Sequence, residues 1–226
     1  MTERSAETGS RPMAELNRSL LPNAITVARV VAAPAVAVLA LASGGGAQLA
    51  AFVVFVVAAV SDLWDGHLAR KHGWISDFGK LMDPLADKLL MVATLVPIYI
   101  VSNPPRTFSE WPVWDALPLW VVVVIFFREI LITILRSVAA RRGLILPAQQ
   151  IGKYKAFSQN FFVGTALLWH ALHTRAEAAG WTGSVWEAWR GLHGAVLFAS
   201  LAIAVGLTLL SLFVYLASWR HALASE

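Results

Sequence analysis

The chain has 226 residues, of which 58% are hydrophobic and only 14% are charged. This composition is too apolar for an ordinary soluble domain and indicates an integral membrane protein built as a single bundle. The sequence contains no cysteine, which excludes disulfides and thiolate metal sites, and its formal net charge of +4 suits basic loops at a membrane better than a nucleic-acid partner.

The N-terminal part of the chain is polar and lacks the apolar centre of a cleaved signal peptide. Residues 1–21 are predicted to be a cytoplasmic segment, and residues 1 to about 12 of it are predicted to be disordered. Met13 to Leu21 is predicted to form a short helix on the membrane surface. Residues 22–221 are predicted to be the transmembrane domain, and residues 222–226 a short tail.

Six apolar runs follow, each close to the ~20 residues needed to cross a bilayer. They cover about 24–42, 47–60, 89–101, 116–142, 157–172 and 192–217. The predicted fold is therefore an all-α six-transmembrane-helix bundle with a short N-terminal surface helix. Polar loops rich in tryptophan are expected at 102–115 and 174–190, with His170 and His173 at a membrane interface.

The distribution of lysine and arginine predicts the orientation in the cell membrane. If the acidic stretch at 62–87 faces the cytoplasm, only Arg106, Arg175 and Arg190 lie outside. Both termini are then cytoplasmic, as the positive-inside rule favours. The basic residues on the inner side are Arg4, Arg11, Arg18, Arg70, Lys71, Lys80, Arg141, Arg142, Lys153, Lys155 and Arg220.

Four carboxylates stand in the acidic stretch. Asp62 and Asp65 are three residues apart and Asp83 and Asp87 are four apart, so each pair shares one face of a helix. Four like charges held together need cations between them, and carboxylate oxygens suit Mg²⁺ or Mn²⁺. The alternative is a pair of acidic helix ends that face water.

A second charged group lies in the fourth run and at the start of the fifth. Arg128, Arg136, Lys153 and Lys155 are candidates for a cationic pocket that receives an anionic substrate. The alternative is an ion-paired packing network that includes Glu129. Cations beside a metal-binding acidic cluster suit phosphoryl chemistry, because the two parts handle opposite charges.

The acidic stretch resembles, position for position, the signature of the CDP-alcohol phosphotransferase family. It reads Asp62-x2-Asp65-Gly66-x2-Ala69-Arg70-x8-Gly79-x3-Asp83-x3-Asp87. Three further stretches resemble one branch of the family, although Ala156 stands where many relatives have threonine. They are Pro22-Asn23-Ala24-Ile25-Thr26-Val27-Ala28-Arg29, Asp83-Pro84-Leu85-Ala86-Asp87-Lys88, and Arg128-Glu129-Ile130 with Leu135-Arg136 and Gly152-Lys153-Tyr154-Lys155.

The resemblance implies a catalytic six-helix bundle, a homodimer and two divalent cations, Mg²⁺ or Mn²⁺, at a site open to the cytoplasm. It implies transfer of a phosphatidyl group from CDP-diacylglycerol to sn-glycerol 3-phosphate, with CMP leaving. Phosphatidylglycerol, the acceptor of the family's cardiolipin synthases, and inositol phosphate are alternative acceptors. A transporter or channel with an acidic ion site is the alternative from another class.

The resemblance also implies roles for particular residues. The metal ligands would be Asp62, Asp65, Asp83 and Asp87, with Asp87 also the general base. The acceptor phosphate would lie against Arg128, Arg136, Lys153 and Lys155, with Arg29 and Arg141 as further candidates. The CDP-lipid would contact Asn23, Thr26, Gly66, Ala69, Arg70, Ser76 and Gly79.

Overall fold

The structure is a computed structural model that describes residues 11–72, 77–103, 116–142 and 150–224. Within these ranges, only the backbone is described at 11–24, 63–72, 77–81 and 221–224. These ranges contain helices and no strand, which confirms the all-helical prediction. The helices are α1 (Arg11–Leu41), α2 (Gly45–His72), α3 (Asp77–Ser102), α4 (Leu119–Arg141), α5 (Gln150–Ala179) and α6 (Ser184–Ala224).

The helices pack in two connected groups. Helix α1 packs against α2 and α3, α5 packs against α2 and α6, and α4 packs mainly against α6. Apolar side chains from every helix fill the centre of this arrangement. The largest of the fully buried side chains include Val36, Leu95, Ile125, Phe162 and Leu197.

The outer surface has the character of a membrane protein. Among the described residues, three stretches are long and apolar enough to cross a bilayer, at Gly45–Asp62, Met82–Ser102 and Ser184–Arg220, and α1 adds a shorter apolar stretch. Large apolar side chains face outward as well, for example Val38 at 70% exposure and Phe213 at 68%. Apolar surface of this extent is stable in contact with lipid rather than water.

Two predictions about the helix boundaries differ from the structure. Helix α1 runs without a break from Arg11 to Leu41, so the segment predicted as a surface helix belongs to the first long helix. The predicted loop at 174–190 is wrong, because only residues 180–183 separate α5 from α6. Gly180 and Gly183 have φ angles of 64° and 106°, a conformation that glycine adopts without strain, and they form this short turn.

The interfacial position of His170 and His173 stays a prediction, but neither side chain faces outward from the bundle. Both are buried, because the first turns of α6 cover the end of α5. The His173 ring stacks on Trp169 with centroids 3.9 Å apart and contacts Trp186 of α6 at 5.3 Å. The predicted loop at 102–115 falls largely outside the described residues.

The start of α2 lies directly against α5. A Cβ atom added to Gly45 would be 3.0 Å from the carbonyl oxygen of Ala171 and 3.0 Å from the amide nitrogen of Arg175. Next to this contact, Thr174 donates a hydrogen bond of 2.8 Å to Gln48. The turns at 42–44 and 180–183 therefore lie at the same end of the bundle. Asp62 is 17 residues further along α2, about 25 Å away at the rise of an α-helix.

Candidate active site

Three of the predicted carboxylates meet at α1. The guanidinium Nη1 of Arg29 lies 2.6 Å from Asp62 Oδ1 of α2 and 3.0 Å from Asp87 Oδ1 of α3. One turn earlier on α1, Thr26 donates a hydrogen bond of 2.7 Å to Asp83 Oδ1. Thr26 and Arg29 are each only 2% exposed. Three of the four acids therefore lie against the same part of α1, and a buried cation lies between two of them. Convergence of all four stays a prediction.

The donor chemistry of this group fits a hard divalent cation. Asp62, Asp83 and Asp87 offer oxygen ligands from two adjacent helices, which is the ligand type that Mg²⁺ and Mn²⁺ prefer. In the part of the chain that is described, no three acidic or histidine side chains are yet close enough to hold an ion, and Arg29 supplies the positive charge between Asp62 and Asp87. The side chain of Asp65 lies outside the described residues.

A large cavity of about 760 Å³ lies between α2 and α5. Its walls are mostly apolar, but Asp62, Asp83 and Lys153 also line it. The cavity thus joins a lipid-like environment to part of the carboxylate group. Four aromatic side chains from the two helices contribute to its walls: Phe52, Phe55, Phe157 and Phe161.

A smaller cavity of about 160 Å³ adjoins the first, and Asp62 lines both. Its lining is more polar. Asp87 and Arg29 belong to it together with Glu129 of α4 and Lys155 of α5. This cavity therefore connects the carboxylate group to the second charged group of the sequence.

Glu129 is the centre of the second charged group. Its Oε1 atom contacts the ammonium group of Lys155 and lies 2.9 Å from Arg128 Nη1. The Nε atom of Arg128 donates a hydrogen bond of 3.1 Å to Ser211 of α6. For Arg128 and Lys155, the structure thus has the ion-paired network that was the alternative to a purely substrate-binding pocket.

The other two predicted acceptor-binding cations lie apart from this network. Lys153 is exposed and lines the large cavity, and the guanidinium of Arg136 lies 5.8 Å from the centre of the Tyr215 ring. The four cations therefore do not form a single cluster, and their substrate-binding role stays a prediction. The CDP-lipid-binding role of six further residues also stays a prediction, because their side chains lie outside the described residues, as does the whole of Ser76. These residues are Asn23, Gly66, Ala69, Arg70, Ser76 and Gly79.

Two contacts of the site were missed by the sequence analysis. Arg29 contacts the carboxylates, although it was only a secondary candidate for the acceptor phosphate. Its spacing of three residues from Thr26 places both on one face of α1, and this could have indicated the contact. Lys88 follows Asp87 directly, lines the small cavity, and donates a hydrogen bond of 3.0 Å to Thr133.

Comparison with known proteins identifies the family of this chain. The profile of the CDP-alcohol phosphatidyltransferase family matches residues 19–210, which include every described side chain of the site except Ser211 and Tyr215. The chain belongs to this family of membrane transferases.

Three individual relatives within the family have similar sequences. A probable phosphatidylglycerophosphate synthase of Mycobacterium tuberculosis is 38% identical to this chain over 152 residues. The aligned region covers 66% of each protein, so the chain spans just under two thirds of this relative's length. A CDP-diacylglycerol–glycerol-3-phosphate 3-phosphatidyltransferase of Bacillus subtilis is 38% identical over 67% of this chain and 78% of its own. An enzyme of that name from Cereibacter sphaeroides is 35% identical over 74% and 71%.

Proposed function

We propose that this protein transfers the phosphatidyl group of CDP-diacylglycerol to sn-glycerol 3-phosphate, which yields phosphatidylglycerophosphate and CMP. The observation that carries the proposal is the position of Asp62, which lines both an apolar cavity and a polar, cation-containing cavity. A lipid donor and a small anionic acceptor need such adjoining spaces. The names of the relatives support the same reaction.

The donor fits the larger cavity. Aromatic and aliphatic walls between α2 and α5 suit the acyl chains, which then stay in the bilayer during the reaction. Asp62, Asp83 and Lys153 also line this space, where the pyrophosphate would lie. Thr26 is buried and hydrogen-bonded to Asp83, so it would orient that carboxylate toward the nucleotide.

The acceptor fits the smaller cavity. The primary hydroxyl of glycerol 3-phosphate would face Asp87, and its phosphate would face Lys155. Asp87 accepts the hydroxyl proton as the oxygen attacks the phosphorus atom that carries diacylglycerol. A new phosphorus–oxygen bond forms, the anhydride bond to the cytidylyl phosphate breaks, and CMP takes both electrons of that bond.

Asp62, Asp65, Asp83 and Asp87 would hold one or two divalent cations, Mg²⁺ or Mn²⁺. When bound, these ions offset the negative charge of the pyrophosphate and of the departing CMP. Arg29 lies between two of the carboxylates and limits their mutual repulsion when fewer cations are present. The side chains of this chain thus provide proton acceptance, orientation and charge balance.

The proposed setting is the plasma membrane, crossed six times, with the carboxylates and both termini on the cytoplasmic side and two copies forming a homodimer. The basic residues at 141, 142, 153 and 155 lie near the carboxylate end of the bundle, which supports this orientation. The turns at 42–44 and 180–183 then lie outside. Glycerol 3-phosphate and CMP would reach and leave the site from the cytoplasm.

The proposal is tested by the acceptor dependence of CMP release. The purified protein in detergent, supplied with Mn²⁺ and radiolabelled CDP-diacylglycerol, should release CMP with glycerol 3-phosphate and little with phosphatidylglycerol. Glycerol 3-phosphate is a phosphomonoester with close to two negative charges, and the cations of the site match it better than a singly charged diester. Cardiolipin formed from phosphatidylglycerol would overturn the acceptor assignment, and no CMP release with any acceptor would favour a transporter.

A further inference from the structure

Glu129 belongs to no role assigned above, yet it contacts two of the four predicted acceptor-binding cations. Its side chain is 19% exposed, and those of Arg128 and Lys155 are 10% and 7% exposed. Buried cations are costly unless a negative charge and hydrogen bonds compensate them. A single carboxylate oxygen of Glu129 accepts hydrogen bonds from both Arg128 and Lys155, so Glu129 supplies the negative charge that compensates them.

The network also links three helices. Glu129 and Arg128 lie on α4, Lys155 lies on α5, and Arg128 continues the chain of hydrogen bonds to Ser211 on α6. One turn along α5, Gln159 donates a hydrogen bond of 2.9 Å to Thr208 on α6. The position of the Lys155 ammonium therefore depends on a carboxylate of another helix, and not only on its own helix.

Lys155 and Glu129 line the small cavity, which Asp62 and Asp87 also line. An anion that enters this cavity meets Lys155 together with Glu129, so part of the positive charge is already compensated. A substrate must therefore bring its own negative charge close to Lys155 and compete with Glu129 for it. Loss of the carboxylate charge would leave Lys155 free to bind an anion in the cavity more strongly, but its ammonium group would no longer be held in one position.

We infer that Glu129 is a positioning residue for the acceptor, which fixes Lys155 and Arg128 and lowers the net positive charge that the acceptor phosphate meets. This inference rests on the proposed function and deepens it. Glu129 does not touch the reacting atoms. It acts through Lys155, and its effect should fall on the acceptor and not on the lipid donor.

The test compares steady-state kinetics of Glu129→Gln and Glu129→Asp with the wild type, varying each substrate in turn. Glu129→Gln keeps the shape and removes the charge, so KM for glycerol 3-phosphate should fall by about fivefold while kcat falls by at least about tenfold. Glu129→Asp keeps the charge but shortens the side chain, so KM should stay within about twofold and kcat should fall. KM for CDP-diacylglycerol should change by less than about twofold in both variants.

Glu187→Gln is the matched control. Glu187 pairs with Arg190 at 3.2 Å on α6, in the half of that helix farthest from Ser211, and its side chain is 58% exposed. The same chemical change there should leave both KM values and kcat within about twofold of the wild type. A purely structural role of Glu129 would reduce the active fraction and leave the KM for glycerol 3-phosphate unchanged.

The inference is overturned if Glu129→Gln leaves the KM for glycerol 3-phosphate unchanged, or if the KM for the donor shifts instead. If Glu129→Gln cannot be recovered as folded protein, Glu129→Asp decides, with kcat expressed per folded molecule after the folded fraction is measured by size-exclusion chromatography. A lower kcat per folded molecule at unchanged KM supports the inference, and a wild-type kcat per folded molecule contradicts it. Failure of the proposed function is a separate result, because the wild type itself would then show no turnover with glycerol 3-phosphate.

Discussion

Replacement of Arg29 with methionine removes a buried positive charge from the carboxylate group and keeps most of the side-chain volume. Arg29 contacts Asp62 and Asp87 at 2.6 and 3.0 Å, and its side chain is 2% exposed. Breaking a buried ion pair costs ~3–5 kcal/mol, whereas an exposed pair contributes ~0–1 kcal/mol. The two carboxylates are 40% and 60% exposed, so water compensates part of the loss. We expect a destabilisation of about 2 kcal/mol, between these limits.

The assay is thermal unfolding of the detergent-solubilised protein in EDTA and in Mn²⁺. For a chain of this size, about 2 kcal/mol corresponds to a Tm lower by ~4–8 °C in EDTA. Mn²⁺ would replace the lost charge and stabilise the native state by binding it, so it should raise the Tm of the variant more than that of the wild type. Arg190→Met, which alters an exposed pair with Glu187, is the control and should shift Tm by less than ~4 °C.

The reasoning about Arg29 would be refuted if Arg29→Met unfolded at the wild-type temperature in EDTA. It would also be refuted if Mn²⁺ stabilised the variant no more than the wild type. Either result would mean that the guanidinium does not balance the charge of the carboxylates.

Two further predictions concern the opposite end of the bundle and the orientation in the membrane. Gly45→Ala places a methyl group 3.0 Å from backbone atoms of α5 and should destabilise the protein by ~1–3 kcal/mol, measured as a lower Tm. In the control Gly46→Ala, the methyl group meets nothing within 4 Å and the Tm should not fall. Equal Tm values for the two variants would contradict the close packing of α2 on α5. The chain has no cysteine, so single cysteines can be labelled without background. Ser43→Cys and Ser184→Cys should react with an impermeant maleimide from outside intact cells, whereas Gln150→Cys should react only after the membrane is opened. The reverse pattern would contradict the proposed orientation.

The convergence of the acids could be predicted from the sequence because it depends on local helical spacing. Asp83 and Asp87 share a face of α3, and an apolar run leads into Asp62 on α2, so two short-range patterns defined most of the group. The partner of these acids was less accessible. Arg29 lies 58 residues before Asp87, and its contact depends on how α1 packs against α3, which no spacing within one helix reveals.

The helical structure of 174–190 and the contacts of Arg128 were not predictable for a related reason. Polar residues and tryptophans at 174–190 are typical of a loop, but packing of Trp186 on His173 keeps the segment helical outside a four-residue turn. Helical geometry offset Arg128 from Glu129 by about 100°. The long side chain of Arg128 nevertheless reaches both Glu129 and Ser211, and the latter is 83 residues away in sequence.

The central claim is that the two cavities beside Asp62 hold a CDP-lipid and glycerol 3-phosphate for direct transfer. The most direct measurement is the ratio of CMP released to phosphatidylglycerophosphate formed by the purified protein, with and without glycerol 3-phosphate, in the wild type and in Asp87→Asn. The account predicts a ratio of one with the acceptor, no CMP without it, and no turnover in Asp87→Asn. CMP release without glycerol 3-phosphate, or wild-type turnover in Asp87→Asn, would contradict it.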